Sequence, residues 1–434
     1  MMSYLFFMVF MIPLFNFNFW YSYQFIYMLF IFVFMFVSSE LNLCFISYLF
    51  GVDYISYSLI ILSFYIISLM NLASLMLMKS SSFLLINYFI CFLLFLIFSS
   101  INMLLMYMSF EFILIPLMIL ILGWGYQPER LSSGIYLFFY TLFGSLPLFV
   151  FIMYIYNDLY LMCFVFELSF DFNFISHLVV VMPFLIKFPM FMLHFWLPKA
   201  HVQAPISGSM ILAGLMLKIG GYGLIRFMYL NELLFYNYSY IWFTFGIVGS
   251  LMVSFICLIQ VDLKCLIAYS SVAHMSLCLM GILTMSKMGL FGSLIMMLSH
   301  GLCSSGLFCL ANICYLRVNS RSLYLVKGMI FFMPSLSIFW FLFSSFNMGC
   351  PPSINFLSEL MIIISSICYF DFSYYYLFFS SFFCACFCFY LYSYSQHGSF
   401  SDMFSYGNIY ASEFLLLFNH LYPLILLLFW FMIF

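Results

Sequence analysis

The sequence predicts an all-α polytopic membrane protein, and three observations support this class. Of its 434 residues, 68% are hydrophobic and 6% are charged, which excludes an ordinary soluble domain. The apolar residues form long runs, and a membrane helix needs about 20 of them, so the chain can hold about 14 such helices joined by short loops. The few charged residues fall mainly between the runs. No length remains for a separate soluble domain.

Hydropathy predicts transmembrane helices in order along the whole chain. Their predicted bounds lie near 1–16, 19–38, 54–78, 83–100, 102–123, 134–156, 177–197, 207–229, 240–260, 264–285, 289–316, 329–369, 374–395 and 412–434. The twelfth is predicted to be two half-helices split at Cys350-Pro351-Pro352, because proline lacks the N–H that a continuous helix needs.

Two interrupted helices, five spans apart, indicate an internal repeat. Lys187 lies beside Pro189 in the seventh span, and Glu359 follows Pro351-Pro352 in the twelfth. Many transporters contain inverted repeats, each with a broken helix at its functional centre. A proline in a membrane helix can also be only a kink, so this alternative stays open for each break. The predicted organisation is N-terminal helices in 1–100, a first repeat at 83–229, a second repeat at 240–395 and a C-terminal helix in 396–434.

Several chemistries lack a motif in this sequence. It contains neither a Walker A motif nor a GxGxxG fingerprint, so nucleotide hydrolysis and nicotinamide binding cannot be located on the chain. The densest cysteine cluster, Cys384, Cys386 and Cys388, projects to different sides of a helix, whereas zinc and iron–sulfur sites need converging ligands. Apolar packing is the favoured role for these thiols. No cofactor, metal or nucleic acid is expected on the chain.

The start and the composition of the chain indicate an organelle gene. The sequence opens MMSYLFFMVFMIPLF, without the basic or Ser-rich leader of secretion or import, so the first segment is predicted to stay as a membrane span. The abundance of Phe (64), Met (34) and Tyr (34) is typical of an AT-biased genome. We therefore predict a location in the mitochondrial inner membrane and an origin in the mitochondrial genome.

The charges between the spans give an orientation. One set of loops carries Lys79, Arg130, Lys199, Lys264, Arg317, Arg321 and Lys327. The opposite loops carry two cations, Arg226 and Lys287. They also carry seven acids, namely Glu40, Asp53, Asp158, Glu167, Asp171, Glu232 and Asp371. By the positive-inside rule the first set faces the matrix, and both termini lie on the far side.

A small set of ionisable residues falls inside the predicted spans. It consists of Glu111, Lys187, Lys218, Glu359, His194, His274 and His300. A charge at the bilayer centre costs at least about 2.5 to 3.5 kcal/mol, so such a residue usually faces a protein interior or water. Each histidine can equally be a plain interhelical hydrogen-bond partner. The buried acids and lysines are too costly as packing residues, which favours a polar pathway for them.

The stretch FLIKFPMFMLHFWLPKAHVQAP (184–205) places Lys187 among apolar residues. A buried lysine can change its protonation state, because burial disfavours its charge and a nearby carboxylate favours it. Two charges about 4 Å apart interact by about 4 kcal/mol at an effective dielectric near 20, against about 2.3 kcal/mol for moving one charge through 100 mV. Making and breaking a Glu111–Lys187 pair is therefore predicted to load and unload a proton.

Two histidines follow Lys187 in the same stretch. His194 comes seven residues later, nearly two helical turns along the same face, and is either a proton relay or a hydrogen-bond partner. His201 and Lys199 lie beyond Pro198 and are predicted at the membrane surface, with Lys199 solvated or bound to lipid phosphate.

Six motifs occur in order along the chain. They are LGWGYQPERL (122–131), HFWLPKAHVQAPISGSMILAGLMLKIGGYGLIR (194–226), DLKCLIAYSSVAHM (262–275), SHGLCSSGLFCLAN (299–312), PPSINFLSEL (351–360) and FYLYSYSQHG (389–398). These motifs resemble the chain 4 family of mitochondrial NADH-ubiquinone oxidoreductase, whose members are antiporter-like subunits of respiratory complex I. The resemblance runs from about Glu111 to the end, whereas the first hundred residues match only in hydropathy.

The resemblance implies a proton-translocating subunit of the membrane arm, related to Mrp-type sodium/proton antiporters and built from two antiporter-like repeats. It implies no cofactor on this chain, since FMN, iron–sulfur clusters and ubiquinone are bound by other subunits. The expected partners are other hydrophobic subunits of the membrane arm, including neighbouring antiporter-like subunits, and membrane lipids with cardiolipin as a candidate.

The resemblance also implies a set of site residues. The family's fifth-helix glutamate, broken seventh-helix lysine, eighth-helix lysine and broken twelfth-helix acid fall on Glu111, Lys187, Lys218 and Glu359. The histidines implied to extend a hydrated axis between them are His201, His274 and His300. Bacterial relatives carry lysine at the twelfth-helix position, so Glu359 makes the two halves chemically different and leaves the direction of proton transfer open.

Three functions from different classes fit these residues. The first is a proton-pumping subunit of H⁺-translocating NADH:ubiquinone reductase, with no redox centre on the chain itself. The second is a stand-alone Mrp-like cation/proton antiporter, and the third is a non-pumping structural spacer whose buried charges only fix helix packing. The motifs favour the first.

Overall fold

The computed structural model of the protein describes residues 1–16, 20–37, 44–75, 80–159, 162–164, 173–399 and 409–433. Its helices are α1 (Met2–Met11), α2 (Trp20–Met35), α3 (Tyr54–Ser74), α4 (Ser81–Ser99), α5 (Met103–Phe112), α6 (Leu114–Trp124), α7 (Arg130–Leu159), α8 (Phe174–Lys187), α9 (Trp196–Gln203), α10 (Ile206–Ile211), α11 (Leu217–Leu230), α12 (Glu232–Ile259), α13 (Leu263–Leu283), α14 (Lys287–Val318), α15 (Met329–Phe332), α16 (Pro334–Asn347), α17 (Ile354–Tyr369), α18 (Ser373–Gln396) and α19 (Ala411–Ile433). A 3-10 turn, Ile12–Asn16, follows α1, and a π-helical turn, Leu212–Met216, joins α10 to α11.

The predicted helical membrane class is confirmed. Within the described residues, ten helical stretches are long and apolar enough to cross a membrane. Shorter apolar helical stretches occur at Met2–Leu14, Tyr23–Met35, Phe174–Lys187 and Ile354–Tyr369, and they overlap other predicted spans. The full count of about 14 membrane helices stays a prediction, as do the inverted repeats and their boundaries.

A small β-hairpin departs from the all-α prediction. Strands β1 (Cys44–Ser47) and β2 (Phe50–Val52) pair antiparallel, with Ser47 opposite Phe50. Asp53 follows directly and is the N-cap of α3, and its backbone N–H donates to the Ser56 hydroxyl at 2.7 Å. This local hydrogen bond satisfies a backbone group outside the helical ladder.

Both predicted helix breaks are present. α8 ends at Lys187, and the chain turns through residues 188–195 before α9 begins. Residues 348–353, which contain Pro351 and Pro352, separate α16 from α17. Ser353 caps α17, since its side chain accepts a hydrogen bond from the Phe356 N–H at 3.2 Å. Each break leaves backbone groups available to side chains or water.

Two further interruptions go beyond the prediction. The fifth predicted span divides into α5 and α6 around Ile113. Pro116 explains this division, because it lacks an N–H and its ring crowds the carbonyl of Phe112, four residues earlier. The other interruption is the π-helical turn, which ends one residue before Leu217-Lys218. π-Turns occur frequently at functional sites.

The chain forms two compact units. Unit 1 comprises Met1–Phe188, Gln203–Ile211 and Leu215–Tyr238, and unit 2 comprises Pro189–Val202, Leu212–Gly214 and Ser239–Phe434. In unit 1, α3 packs against α2 and α4, and α8 packs against α7 and α11. In unit 2, α14 is central and packs against α13, α16, α17 and α19.

Several cations that the sequence places in loops are buried in helices. Arg226 lies inside α11 and forms an ion pair with Asp53, and both residues are less than a tenth exposed. Arg317 lies in the last turn of α14 and donates from both guanidinium Nη atoms to the Glu413 carboxylate. Lys264 lies in the first turn of α13 and is 2% exposed. A hydropathy prediction assigns a charged residue near the end of a span to a loop, although contacts with distant segments can bury that residue in the folded protein.

The predicted orientation in the membrane stays a prediction. Some residues of the charge argument, Glu40, Lys79, Glu167 and Asp171, lie outside the described residues, as does the side chain of Asp158.

Candidate functional site

Lys187 is the last residue of α8 and is only 1% exposed. Its Nζ donates a hydrogen bond to the carbonyl oxygen of Phe110 at 2.7 Å, and it lies 3.0 Å from the centroid of the Phe110 ring. A carbonyl oxygen and an aromatic face both offer negative potential to an ammonium. The lysine of unit 1 is thus held by the residue next to Glu111.

Glu111 lies in the last turn of α5. Both of its carboxylate oxygens are buried, and neither has a hydrogen-bond partner among the described residues. The Ser145 hydroxyl of α7 lies near the carboxylate and donates to the Leu142 carbonyl at 3.1 Å. The Lys187 ammonium is within electrostatic reach of the carboxylate but is bonded to Phe110. The structure therefore brings the predicted pair into one cluster without a direct ion pair.

Lys218 is fully buried near the start of α11, directly beyond the π-helical turn. Gly220 lets α11 approach α8 closely: a Cβ added there would lie 2.6 Å from the Phe188 backbone nitrogen and 2.9 Å from the Phe184 carbonyl oxygen. Any larger residue would force these helices apart. The helix of Lys218 therefore packs on the end of the helix that carries Lys187. We term Glu111 and Lys187 the lysine cluster.

His274 of α13 is the centre of a second cluster, in unit 2. Its Nδ1 lies 3.7 Å from Oε1 of Glu359 on α17, and its ring centroid lies 5.5 Å from that of His300 on α14. Both histidines are 1% exposed, and the Glu359 side chain is 14% exposed. The separation of 3.7 Å is within ion-pair reach but longer than a direct hydrogen bond, so a small movement of either side chain would bring the two groups into hydrogen-bond contact. We term His274, His300 and Glu359 the histidine cluster.

The break between α16 and α17 shapes the position of the Glu359 carboxylate. Gly349, in this break, has a φ of +74°, which side chains of L residues rarely adopt. A Cβ added to Gly349 would lie 2.6 Å from Oε2 of Glu359. Asn355 Nδ2 also donates to the Phe346 carbonyl at 2.7 Å, which ties the start of α17 to the end of α16. The glycine thus leaves the space that the carboxylate occupies.

His201 is buried within the protein, and its predicted place at the membrane surface stays a prediction. It lies in α9 and stacks on the ring of Phe308 in α14, with 4.6 Å between centroids and planes 4° apart. Phe308 follows His300 by about two turns of the same helix. Lys199, in contrast, is exposed, as its predicted solvated role requires.

The helical spacing assumed between Lys187 and His194 does not exist, because α8 ends at Lys187. That prediction is therefore wrong. His194 is 2% exposed and lies among the aromatic rings of Phe191, Phe195 and Tyr269.

Some residues around the clusters were not identifiable as site residues from the sequence. Phe110 and Gly349 contact the functional groups, and the Cys384 Sγ lies 3.7 Å from Nε2 of His274. Gly349 could have been found from the sequence, because it stands just before the proline pair Pro351-Pro352. The other two depend on contacts between distant segments. Within the described chain, no group of His, Cys, Asp and Glu side chains is arranged to hold a metal ion.

Buried acids paired with bases at interrupted membrane helices are typical of antiporter-like membrane subunits. The comparison with known families agrees, because residues 100–388 match the family described as NADH:quinone oxidoreductase/Mrp antiporter, transmembrane region. Residues 1–106 match the family described as NADH-ubiquinone oxidoreductase chain 4, amino terminus. The chain belongs to the NADH-ubiquinone oxidoreductase chain 4 family. The match includes the first hundred residues, where the motifs gave no resemblance.

Similar proteins cover almost the whole chain. NADH-ubiquinone oxidoreductase chain 4 of Ceratitis capitata is 49% identical over 389 residues, which are 88% of this chain and 87% of the relative. The Locusta migratoria protein of the same name is 46% identical over 439 residues and covers 98% of both chains. A chain of respiratory complex I from Thermus thermophilus with bound NADH has a similar fold, with a TM-score of 0.84 at 20% identity, covering 92% of this chain and 88% of that chain.

Proposed function

We propose that the chain is a proton-translocating subunit in the membrane arm of NADH:ubiquinone oxidoreductase, respiratory complex I. The observation that carries the proposal is that each unit buries an acid near a base at interrupted helices, Glu111 near Lys187 and Glu359 near His274. Ionisable residues of this kind mark ion and proton pathways in membranes. Membership of the chain 4 family supports the assignment to complex I.

The lysine cluster is proposed to exchange protons by changing partners. In the arrangement described, the Lys187 ammonium is held by Phe110, and the Glu111 carboxylate lacks a hydrogen bond. If the ammonium moves to the carboxylate, their attraction is about 4 kcal/mol at 4 Å and an effective dielectric near 20. The most stable position of the proton therefore differs between the two arrangements: the pair with Glu111 favours the charged Lys187 ammonium, and separation of the two groups favours release of its proton. The energy is comparable to that of one charge crossing an energised membrane.

The histidine cluster is proposed to pass protons between an imidazole and an acid. A protonated His274 gives the proton on Nδ1 to Glu359 when the two side chains approach to hydrogen-bond distance, and the His300 ring on the other helix takes part in reloading it. Together with Lys218 and His201, the two clusters form the proposed hydrated Glu/Lys/His axis.

The electron-transfer chemistry is proposed to take place on other subunits, which bind FMN, iron–sulfur clusters and ubiquinone. The proposed partners of this chain are hydrophobic membrane-arm subunits, including neighbouring antiporter-like subunits, and membrane lipids with cardiolipin as a candidate. The proposed location is the mitochondrial inner membrane.

Substitution of Lys187 in the intact complex tests the proton role. Complex I carrying Lys187→Met or Glu111→Gln, reconstituted into liposomes, is expected to lose quinone-coupled acidification, followed with a pH-sensitive dye, by at least about tenfold. NADH oxidation by an artificial acceptor should stay nearly normal, because the redox groups are elsewhere. Lys187→Arg should fail like Lys187→Met, since a guanidinium does not give up its proton.

Exposed Lys199→Met is the matched control and should pump normally. Full pumping by the Lys187 and Glu111 variants would remove these residues from the path and favour the spacer function.

Assembly is tested on native membranes. A mild-detergent native gel with an in-gel NADH dehydrogenase stain, followed by mass spectrometry, should place peptides of this chain in the large stained band. Migration only in a small unstained species would overturn the assignment to complex I.

The Mrp relationship in the family description favours one alternative, a stand-alone cation/proton antiporter. An antiporter would exchange sodium for protons across liposomes without NADH. A complex I subunit would move protons only when NADH and quinone react.

A further inference from the structure

Cys384 approaches the histidine cluster from α18, which packs against α13, α16 and α17. The cysteine is 7% exposed, and its Sγ lies 3.7 Å from Nε2 of His274. The same sulfur lies 3.9 Å from the Asn347 carbonyl oxygen at the end of α16. The thiol is therefore fixed between the imidazole and the backbone beside the helix break.

The two ring nitrogens of His274 face different chemical groups. Nε2 faces the Cys384 thiol, and Nδ1 faces the Glu359 carboxylate at 3.7 Å. The orientation of the imidazole towards its acid thus depends on what lies at its other edge. In histidine sites generally, the partner of one nitrogen decides which nitrogen carries the proton.

A thiol suits both states of a histidine that passes on a proton. When the imidazolium gives its Nδ1 proton to Glu359, the remaining proton stays on Nε2, and the sulfur accepts a weak hydrogen bond from it. When the neutral ring instead carries its proton on Nδ1, Nε2 accepts a weak hydrogen bond from the S–H. The thiol gains and loses no proton in this cycle.

We propose that Cys384 is a positioning residue for proton transfer between His274 and Glu359. The inference rests on the proposed proton-translocating function and gives it a residue outside the ionisable set. It also gives a function to a cysteine that the sequence assigns to apolar packing.

The test uses complex I reconstituted into liposomes with three substitutions at this position. Cys384→Ala and Cys384→Val both remove the thiol but change the side-chain volume in opposite directions, so a packing effect would separate them. Both are expected to lower the initial rate of quinone-coupled acidification by about fivefold, which corresponds to the loss of one neutral hydrogen bond. Cys384→Ser keeps a donor and an acceptor and is expected to restore most of the rate.

Cys386→Ala is the matched control. Cys386 lies two residues further along α18, is half-buried and projects to a different side of the helix from Cys384. It should pump at the wild-type rate, and the amount of assembled complex on native gels should be equal for all variants.

Three outcomes would overturn the role of Cys384: normal pumping in both Ala and Val variants, equal losses in Cys386→Ala, or a Ser variant as slow as Ala. If the Ala variant fails to assemble, the Val and Ser variants still decide between packing and hydrogen bonding. Glu359→Gln, measured in parallel, separates the two proposals. Normal pumping in Glu359→Gln contradicts the proton function, whereas loss of pumping there with a normal Cys384→Val rate contradicts only the positioning role.

Discussion

Lys187 carries its charge at the point where helix α8 and its backbone hydrogen bonds end. Its ammonium contacts both the carbonyl oxygen and the ring of Phe110. Glu111 precedes the α5–α6 break, Lys218 follows the π-helical turn, and Glu359 follows the α16–α17 break. Charges inside a membrane protein need polar surroundings, and interrupted helices supply free backbone groups. Each of these four charges therefore lies at an interrupted helix, where free backbone groups can stabilise it.

Gly349→Ala tests this relation at a single residue. The new Cβ would occupy the space of the Glu359 carboxylate and would also strain a backbone with φ of +74°, at a cost of about 1 to 3 kcal/mol. We expect assembled complex I with a several-fold lower rate of quinone-coupled acidification in liposomes.

Gly398→Ala is a matched control, because Gly398 also has a positive φ, +99°, but an added Cβ would only approach the Lys327 side chain at 3.9 Å. An equal loss of pumping in the two variants would show that backbone strain, and not the displaced carboxylate, decides the rate.

At the scale of helices, prolines decide where the ladder opens. α5 and α6 are separated near Ile113, and the ring of Pro116 removes the hydrogen bond to Phe112. α7 contains Pro147 and nevertheless continues as one helix from Arg130 to Leu159. A proline alone therefore does not determine a break, and the packing around it contributes.

Pro116→Ala is expected to restore the hydrogen bond from residue 116 to Phe112 and to join α5 with α6. The continuous helix would turn the Glu111 carboxylate relative to Lys187, so acidification of liposomes by complex I should fall several-fold while the complex still assembles. Pro147→Ala is the control and should leave pumping unchanged. A normal rate in Pro116→Ala would mean that the break near Glu111 does not position the acid.

At the scale of the whole molecule, each compact unit contains a buried ion pair that is separate from the proposed proton sites. Asp53 pairs with Arg226 in unit 1, and Glu413 pairs with Arg317 in unit 2. Arg226 also lies over the ring of Tyr222, whose hydroxyl donates to the Phe98 carbonyl at 3.0 Å. These contacts join the start of α3, the end of α4 and α11 within one unit.

Arg226→Met should destabilise the protein by about 3 to 5 kcal/mol, because the buried Asp53 carboxylate loses its partner. The expected result is a lower amount of assembled complex on native gels and inactivation at a lower temperature. Addition of Asp53→Asn should recover most of the loss, since the unpaired charge is then removed. Equal stability of the wild type and Arg226→Met would contradict a stabilising role for the pair.

The local pattern of residues determined the class of the protein, the approximate position of ten apolar helical stretches in the described chain and two of its helix breaks. Long apolar runs bury only as helices in lipid, and Pro189 and Pro351-Pro352 remove hydrogen bonds wherever they occur. The positions of the acids and lysines came from the same pattern, with the family resemblance naming their roles. The sequence was less informative at span ends, where Arg226, Arg317 and Lys264 looked like loop charges.

Only the tertiary structure decided which groups these residues meet. The Phe110 carbonyl at Lys187, the Gly349 backbone at Glu359 and the Cys384 thiol at His274 come from other helices or from the far side of a break. Such contacts depend on helix packing between distant segments, which hydropathy and proline spacing do not encode. The sequence by itself therefore determined which side chains can carry a charge in the membrane, whereas packing determined the partner of each charge, because the partner is set by distance in space and not along the chain.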